Sequence, residues 1–125
     1  MNEVLAVAAG GALGSVGRYL VVDQMGRWLG IGFPWGTLTV NSLGGLAVGL
    51  IAGALVLHPA FGAWRYFLLT GILGGFTTFS AFSLDTVSLV HRGAWGSAAL
   101  YVVASVAISI AGTFAGLALV RAASA

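Results

Sequence analysis

Apolar positions along this chain fall in long unbroken runs, without the alternation of a half-buried strand or the narrow stripe of a surface helix. The runs cover residues 4–22, 35–57, 64–90 and 94–120. Each is near or above the roughly twenty apolar residues that cross a bilayer as a helix. The pattern predicts one all-α integral membrane domain over residues 1–125 with four transmembrane helices. Between the runs lie short stretches of Gly, Pro and charged residues, at 23–34, 58–63 and 91–93. Trp28, Trp35, Trp64 and Trp95 stand at the run ends, where indole rings anchor at the interface.

Within the runs, small and polar residues recur at every fourth position. Gly10, Gly14 and Arg18 share one helix face; Thr37, Asn41, Gly45, Gly49 and Gly53 share another. In the last run the series is Ser97, Tyr101, Ser105, Ser109 and Thr113. Small residues at this spacing let helix backbones approach closely in lipid.

The third run is unlike the others. Its centre reads Gly-Ile-Leu-Gly-Gly-Phe-Thr-Thr-Phe-Ser-Ala-Phe-Ser at 71–83. Adjacent glycines lower helix stability, and Thr77-Thr78 is stiff at χ1. One reading is a helix broken near its centre. Its freed backbone groups must then face protein, water or an ion, because lipid cannot satisfy them. The other reading is a glycine-packed crossing with hydroxyls bonded back to the preceding turn.

Several side chains carry paired readings of the same kind. Arg18 either snorkels to the headgroups or faces an aqueous vestibule and attracts anions. Asn41 is either interhelical glue or a donor to a dehydrated anion. Phe79 and Phe82, three apart, either pack or turn their electropositive ring edges to an anion. Ser80, Ser83 and the hydroxyl face of the last run form a candidate rail of rotatable O–H donors. Asp85 falls near the membrane edge, and His58 reads as a loop histidine.

Composition narrows the class. Only 6% of residues are charged, against roughly 25% in a soluble domain, so the chain cannot cover a water-facing surface. With five basic residues, all Arg, the net charge of +2 is no argument for nucleic-acid binding. There is no Cys, hence no disulfide or thiolate metal site. The first run lacks a basic leader and is too long for a signal peptide. Arg65 and Arg121 fall on one side of a four-span topology, Arg27 and Arg92 on the other, so the positive-inside rule gives almost no preference. Such a chain can insert both ways up, and opposed copies can pair about an in-plane two-fold axis.

Three pieces together carry a family resemblance: residues 10–19, Gly-Gly-Ala-Leu-Gly-Ser-Val-Gly-Arg-Tyr; residues 36–45, Gly-Thr-Leu-Thr-Val-Asn-Ser-Leu-Gly-Gly; and the 71–83 stretch, with Tyr101 and Ser105 following. The chain resembles the small dimeric fluoride channels of the Fluc, or CrcB-type, family over essentially its whole length. The resemblance implies an antiparallel, dual-topology homodimer of inverted copies in a prokaryotic-type inner membrane, passing fluoride passively. It implies a central structural Na⁺ held by the carbonyls of Gly74 and Thr77. It places Asn41, Phe79, Phe82, Ser80, Tyr101 and Ser105 along the fluoride pathway and Arg18 at the vestibule. Asp85 departs from the pattern, where relatives often carry Glu. Two other classes compete. A drug- or guanidinium-exporting dual-topology transporter needs an intramembrane carboxylate, which neither Glu3 nor Asp85 supplies well. A non-transporting assembly protein leaves the Thr-Thr-Phe-Ser-Ala-Phe track unexplained. An enzyme is not expected, since no nucleophile–base pair is visible at membrane depth.

Overall fold

The computed structural model describes residues 2–125, and four of its helical spans are long and apolar enough to cross a membrane. Helix α1 is Glu3–Leu29 and α2 is Trp35–Leu57. A 3₁₀ turn, Pro59–Trp64, leads into a π-helical segment, Tyr66–Leu73, and the one-turn α3, Gly74–Phe76. Two extended residues follow, Thr77 (φ −89°, ψ 157°) and Thr78 (φ −153°, ψ 118°). Helix α4, Phe79–His91, completes the third span, and α5 is Trp95–Ala123.

The helices outrun the apolar runs that announce them. Helix α1 continues past Val22 to Leu29, so Asp23 and Arg27 are helical and the first loop shrinks to 30–34. The reason is local. Arg27 Nε donates to Asp23 Oδ2 at 3.0 Å across one exposed turn. Gly30, at φ +83°, then ends the helix in a conformation that favours glycine. At the other end, the Asn2 side chain caps Val4 N at 2.7 Å. The third span begins at Tyr66, with Trp64 in the 3₁₀ turn, and ends with His91 inside α4. The fourth runs from Trp95 to Ala123, past the apolar limit at 120.

Glycine faces bring the helices together. A side chain at Gly10 or Gly14 would collide with the backbone of Phe67, Gly71 or Ile72, so α1 lies flush against the π-helical segment. Gly45 and Gly49 meet the backbone of Ser109 and Thr113, which seats α2 on α5. Thr113 Oγ1 reinforces that seam by donating to Gly45 O at 2.8 Å. The tightest side-chain packing involves Leu89, Ala98 and Tyr101, with Phe33, Leu38 and Phe82 against them. Arg92 Nη2 donates to Gly32 O at 2.9 Å and ties the third loop to the first.

Around this interior the surface is apolar. Leu5, Leu13, Leu20, Leu100, Val103 and Phe114 are among many large hydrophobics left exposed. Such a surface is unstable in water and at home in hydrocarbon, where backbone groups are satisfied within each helix. The chain is a multi-pass membrane protein.

Candidate functional site

The interruption at Thr77-Thr78 is built from side chains that take over the backbone's hydrogen bonds. In a continuing helix Thr78 N–H would bond to Gly74 O. It donates instead to Asn41 Oδ1, at 2.8 Å. Asn41 Nδ2 in turn donates to Thr78 O at 3.0 Å, so one amide from α2 clamps both polar groups of one residue. Ala81 N–H, which a continuing helix would direct at Thr77 O, goes to Thr78 Oγ1 at 3.1 Å. That contact is an ordinary threonine N-cap and restarts the chain as α4. Thr77 Oγ1 bonds back to Leu73 O at 2.8 Å, which closes the end of α3. From the opposite side, Arg18 Nε of α1 donates to Gly75 O at 2.9 Å.

The outcome is selective. Gly75 O and Thr78 O are held by Arg18 and Asn41, while Gly74 O and Thr77 O have lost their helical donors. Two free carbonyl oxygens near one another suit a hard cation that takes only oxygen ligands. Both residues line a cavity of about 470 Å³ on the face of the span away from α1.

That cavity gathers most of the residues expected at the site. Asn41, Phe79, Phe82 and Ser105 line it together with Gly74 and Thr77. Its wall is mostly hydrocarbon and aromatic, with few polar groups. Ser105 Oγ is buried there without a hydrogen-bond partner. A buried hydroxyl of this kind is open to a ligand. The Phe79 and Phe82 rings lie 5.4 Å apart at 55°. Phe79 is 78% exposed, so its ring projects outward from the single chain. Phe82 instead packs against Tyr101, centroids 5.2 Å apart.

The remaining expected residues sit around this group. Tyr101 is fully buried behind Phe82, and its hydroxyl donates to Asp85 Oδ2 at 3.0 Å with Thr37 beside it. Ser80 Oγ lies 3.3 Å from Thr78 Oγ1 at the interruption. Ser83 Oγ bonds back to Phe79 O at 3.0 Å. The hydroxyl series of α5 divides: Ser105 and Ser109 line the cavity, while Thr113 serves the α2–α5 seam. Arg18 is not among the cavity-lining residues; its Nε is held by Gly75 on the α1 side.

Two participants were not singled out from sequence. Thr78 is the hub of the interruption, and a threonine just ahead of a renewed apolar helix is itself an N-cap signal. Asp85 is turned inward to Tyr101, a pairing across sixteen residues that no spacing within one helix reveals.

Four spans, an interrupted third helix and a partly apolar cavity beside the interruption define a small multi-pass membrane protein with a binding site at membrane depth. Comparison with known proteins agrees with that class. The family model described as CrcB-like protein, Camphor Resistance (CrcB), matches residues 5–117. A protein of Rhodospirillum centenum named fluoride-specific ion channel FluC is 57% identical over 97% of both chains. Proteins of the same name from Nitrobacter winogradskyi and Agrobacterium fabrum are each 53% identical, over 94% of both chains and over 97% and 98% respectively. The chain belongs to the CrcB family.

Proposed function

We propose that this protein is a fluoride-selective channel that lets F⁻ cross the membrane passively, as an antiparallel dimer of two inverted copies. The observation that carries the reading is the cavity in which the unpartnered Ser105 hydroxyl, the Asn41 amide and the Phe79 and Phe82 rings converge. Fluoride is small and strongly hydrated. Its passage needs donors that replace water without binding so tightly that the ion cannot leave. Rotatable hydroxyls and ring edges meet that need. After clamping Thr78, Asn41 Nδ2 keeps a second N–H to offer the ion. Nearly full-length relatives that bear a fluoride channel's name support the same reading.

The dimer follows from what one chain leaves incomplete. Phe79 projects from an apolar face beside the cavity, and two carbonyls alone are a poor cage for an ion. An inverted copy would cover the ring and bring Gly74 and Thr77 carbonyls of its own. When bound there, Na⁺ would supply a fixed positive charge that lowers the cost of an anion in a medium of low dielectric. Labelling of a single cysteine at Ser124 should find that position on both faces of the cell membrane. Reaction from one face alone would exclude dual topology.

The test of function is fluoride efflux from KF-loaded liposomes carrying the purified protein. Efflux should run on addition of valinomycin, without a proton gradient, and chloride should not substitute. Folded, reconstituted protein that releases no fluoride would overturn the reading.

A further inference from the structure

We propose that Arg18 is a positioning residue for the interruption in the third span, acting through the Gly75 carbonyl. This rests on the fluoride-channel reading only for its transport consequence. Arg18 Nε meets Gly75 O at 2.9 Å, a contact between residues 57 apart in sequence. The approach is fixed by backbone packing. A side chain at Gly14 would strike Ile72 O, and one at Gly75 would come within 2.6 Å of Gly11 O and 3.0 Å of Ser15 N. Helix α1 therefore cannot slide along the third span, and Arg18, one turn beyond Gly14, emerges opposite the carbonyls of α3.

The choice of carbonyl matters. The interruption strips helical donors from consecutive peptide groups. Arg18 takes Gly75 O and Asn41 takes Thr78 O, and Gly74 and Thr77 are left to face the cavity. Without Arg18, Gly75 O would lack its donor in a setting where lipid offers none. The peptide would then turn toward any donor or cation within reach, and the pair of free carbonyls would lose its geometry. The contact is made by a guanidinium N–H of fixed direction, which a lysine ammonium on a flexible stem does not reproduce. An arginine that only attracted anions would work nearly as well as lysine.

Arg18→Lys and Arg18→Gln separate the two roles, with Arg121→Gln in the last turn of α5 as control. Two readouts are taken on protein in nanodiscs and liposomes. One is amide hydrogen exchange over residues 74–79; the other is fluoride efflux against fluoride concentration. Exchange reports the interruption whichever ion the protein carries, so wild-type protein without fluoride efflux would sink the function and leave this comparison standing. Both Arg18 variants should speed exchange by about tenfold or more, the worth of one charge-assisted hydrogen bond. Both should lower the maximal efflux rate even at saturating fluoride, with Arg121→Gln unchanged in each readout. Arg18→Lys with wild-type exchange overturns the proposal. So does a loss of efflux in either variant that saturating fluoride restores, because that is the signature of anion attraction. If Arg18→Gln fails to fold, Arg18→Lys alone decides between these outcomes.

Discussion

Replacing Asn41 with Leu tests the clamp that holds the interruption open. The two side chains are similar in volume, so no cavity is left and the packing cost stays small. What is lost is the pair of hydrogen bonds to Thr78, one at 2.8 Å to its N–H and one at 3.0 Å to its O. Each backbone group left unsatisfied costs about 1–3 kcal/mol, so the pair amounts to roughly 2–6 kcal/mol. The adjoining cavity can admit water, which favours the lower half of that range. At about 3–4 °C per kcal/mol for a chain of this size, melting should fall by roughly 6–20 °C. Thr78 also caps α4, so its displacement moves Phe79 and Phe82, and every 1.4 kcal/mol added to the barrier slows efflux about tenfold. Asn41→Asp is the informative partner. It keeps the acceptor for Thr78 N–H but sets a carboxylate against Thr78 O and places a negative charge in an anion's path. It should melt above Asn41→Leu and yet conduct no fluoride. The measurements are thermal melting in detergent and efflux from liposomes. An Asn41→Leu protein that melts within about 2 °C of wild type would show that Asn41 is not a clamp, whatever its efflux.

Three further outcomes follow. Phe79→Ile and Phe82→Ile should give folded dimers, each at a cost below about 1.5 kcal/mol, with severely reduced efflux, because an aliphatic group offers no positive edge to the ion. Phe76→Ile should be mild, since that ring lies 3.6 Å from the position a side chain at Gly17 would occupy, on the α1 side. Near-normal efflux from the first two would return both rings to packing. Tyr101→Phe removes the donor to Asp85 and leaves its carboxylate without that bond. It should cost about 1.5–3 kcal/mol in melting experiments, and an unchanged melting point would show the contact to be idle. Gly45→Ala forces a methyl group against Ser109 O and should destabilise by about 1–3 kcal/mol. Gly96→Ala, with open space around it, should be neutral or slightly stabilising in the same assay.

The spans were legible because hydrocarbon imposes one simple rule, a run of apolar residues as long as the bilayer is thick. That rule is silent about α1 beyond Val22, where an Asp23–Arg27 pair and a glycine stop in water set the end. Glycine spacing announced the seams of α1 and α2, since each Gly removes a side chain where another backbone must pass. The gathering of Asn41, Phe79, Phe82 and Ser105 around one cavity was legible only as a set of candidates. Which hydroxyls would be free could not be read. Thr113 and Ser105 stand on one helical face, yet the first meets Gly45 O and the second meets nothing. That difference depends on where α2 crosses α5. The Arg18–Gly75 and Tyr101–Asp85 contacts were hidden for the same reason: each joins two spans whose relative rotation no single-helix periodicity contains.

The π-helical segment Tyr66–Leu73 bears on how this chain can change length. A π turn holds extra residue relative to an α turn, so the segment acts as a phase shifter inserted ahead of α3. Every residue downstream owes its azimuth to that surplus. Deleting a single residue between Tyr66 and Leu73 would let the segment relax toward α geometry, but would rotate the following chain by about 100° relative to α1. Gly75 would turn away from Ser15, and Phe79 would leave the cavity wall. A deletion in the exposed 3₁₀ turn Pro59–Trp64 can instead be absorbed by the loop. Two stretches a few residues apart thus differ in their tolerance of indels, and homologous chains should vary in length at the turn while keeping the count in the π segment fixed.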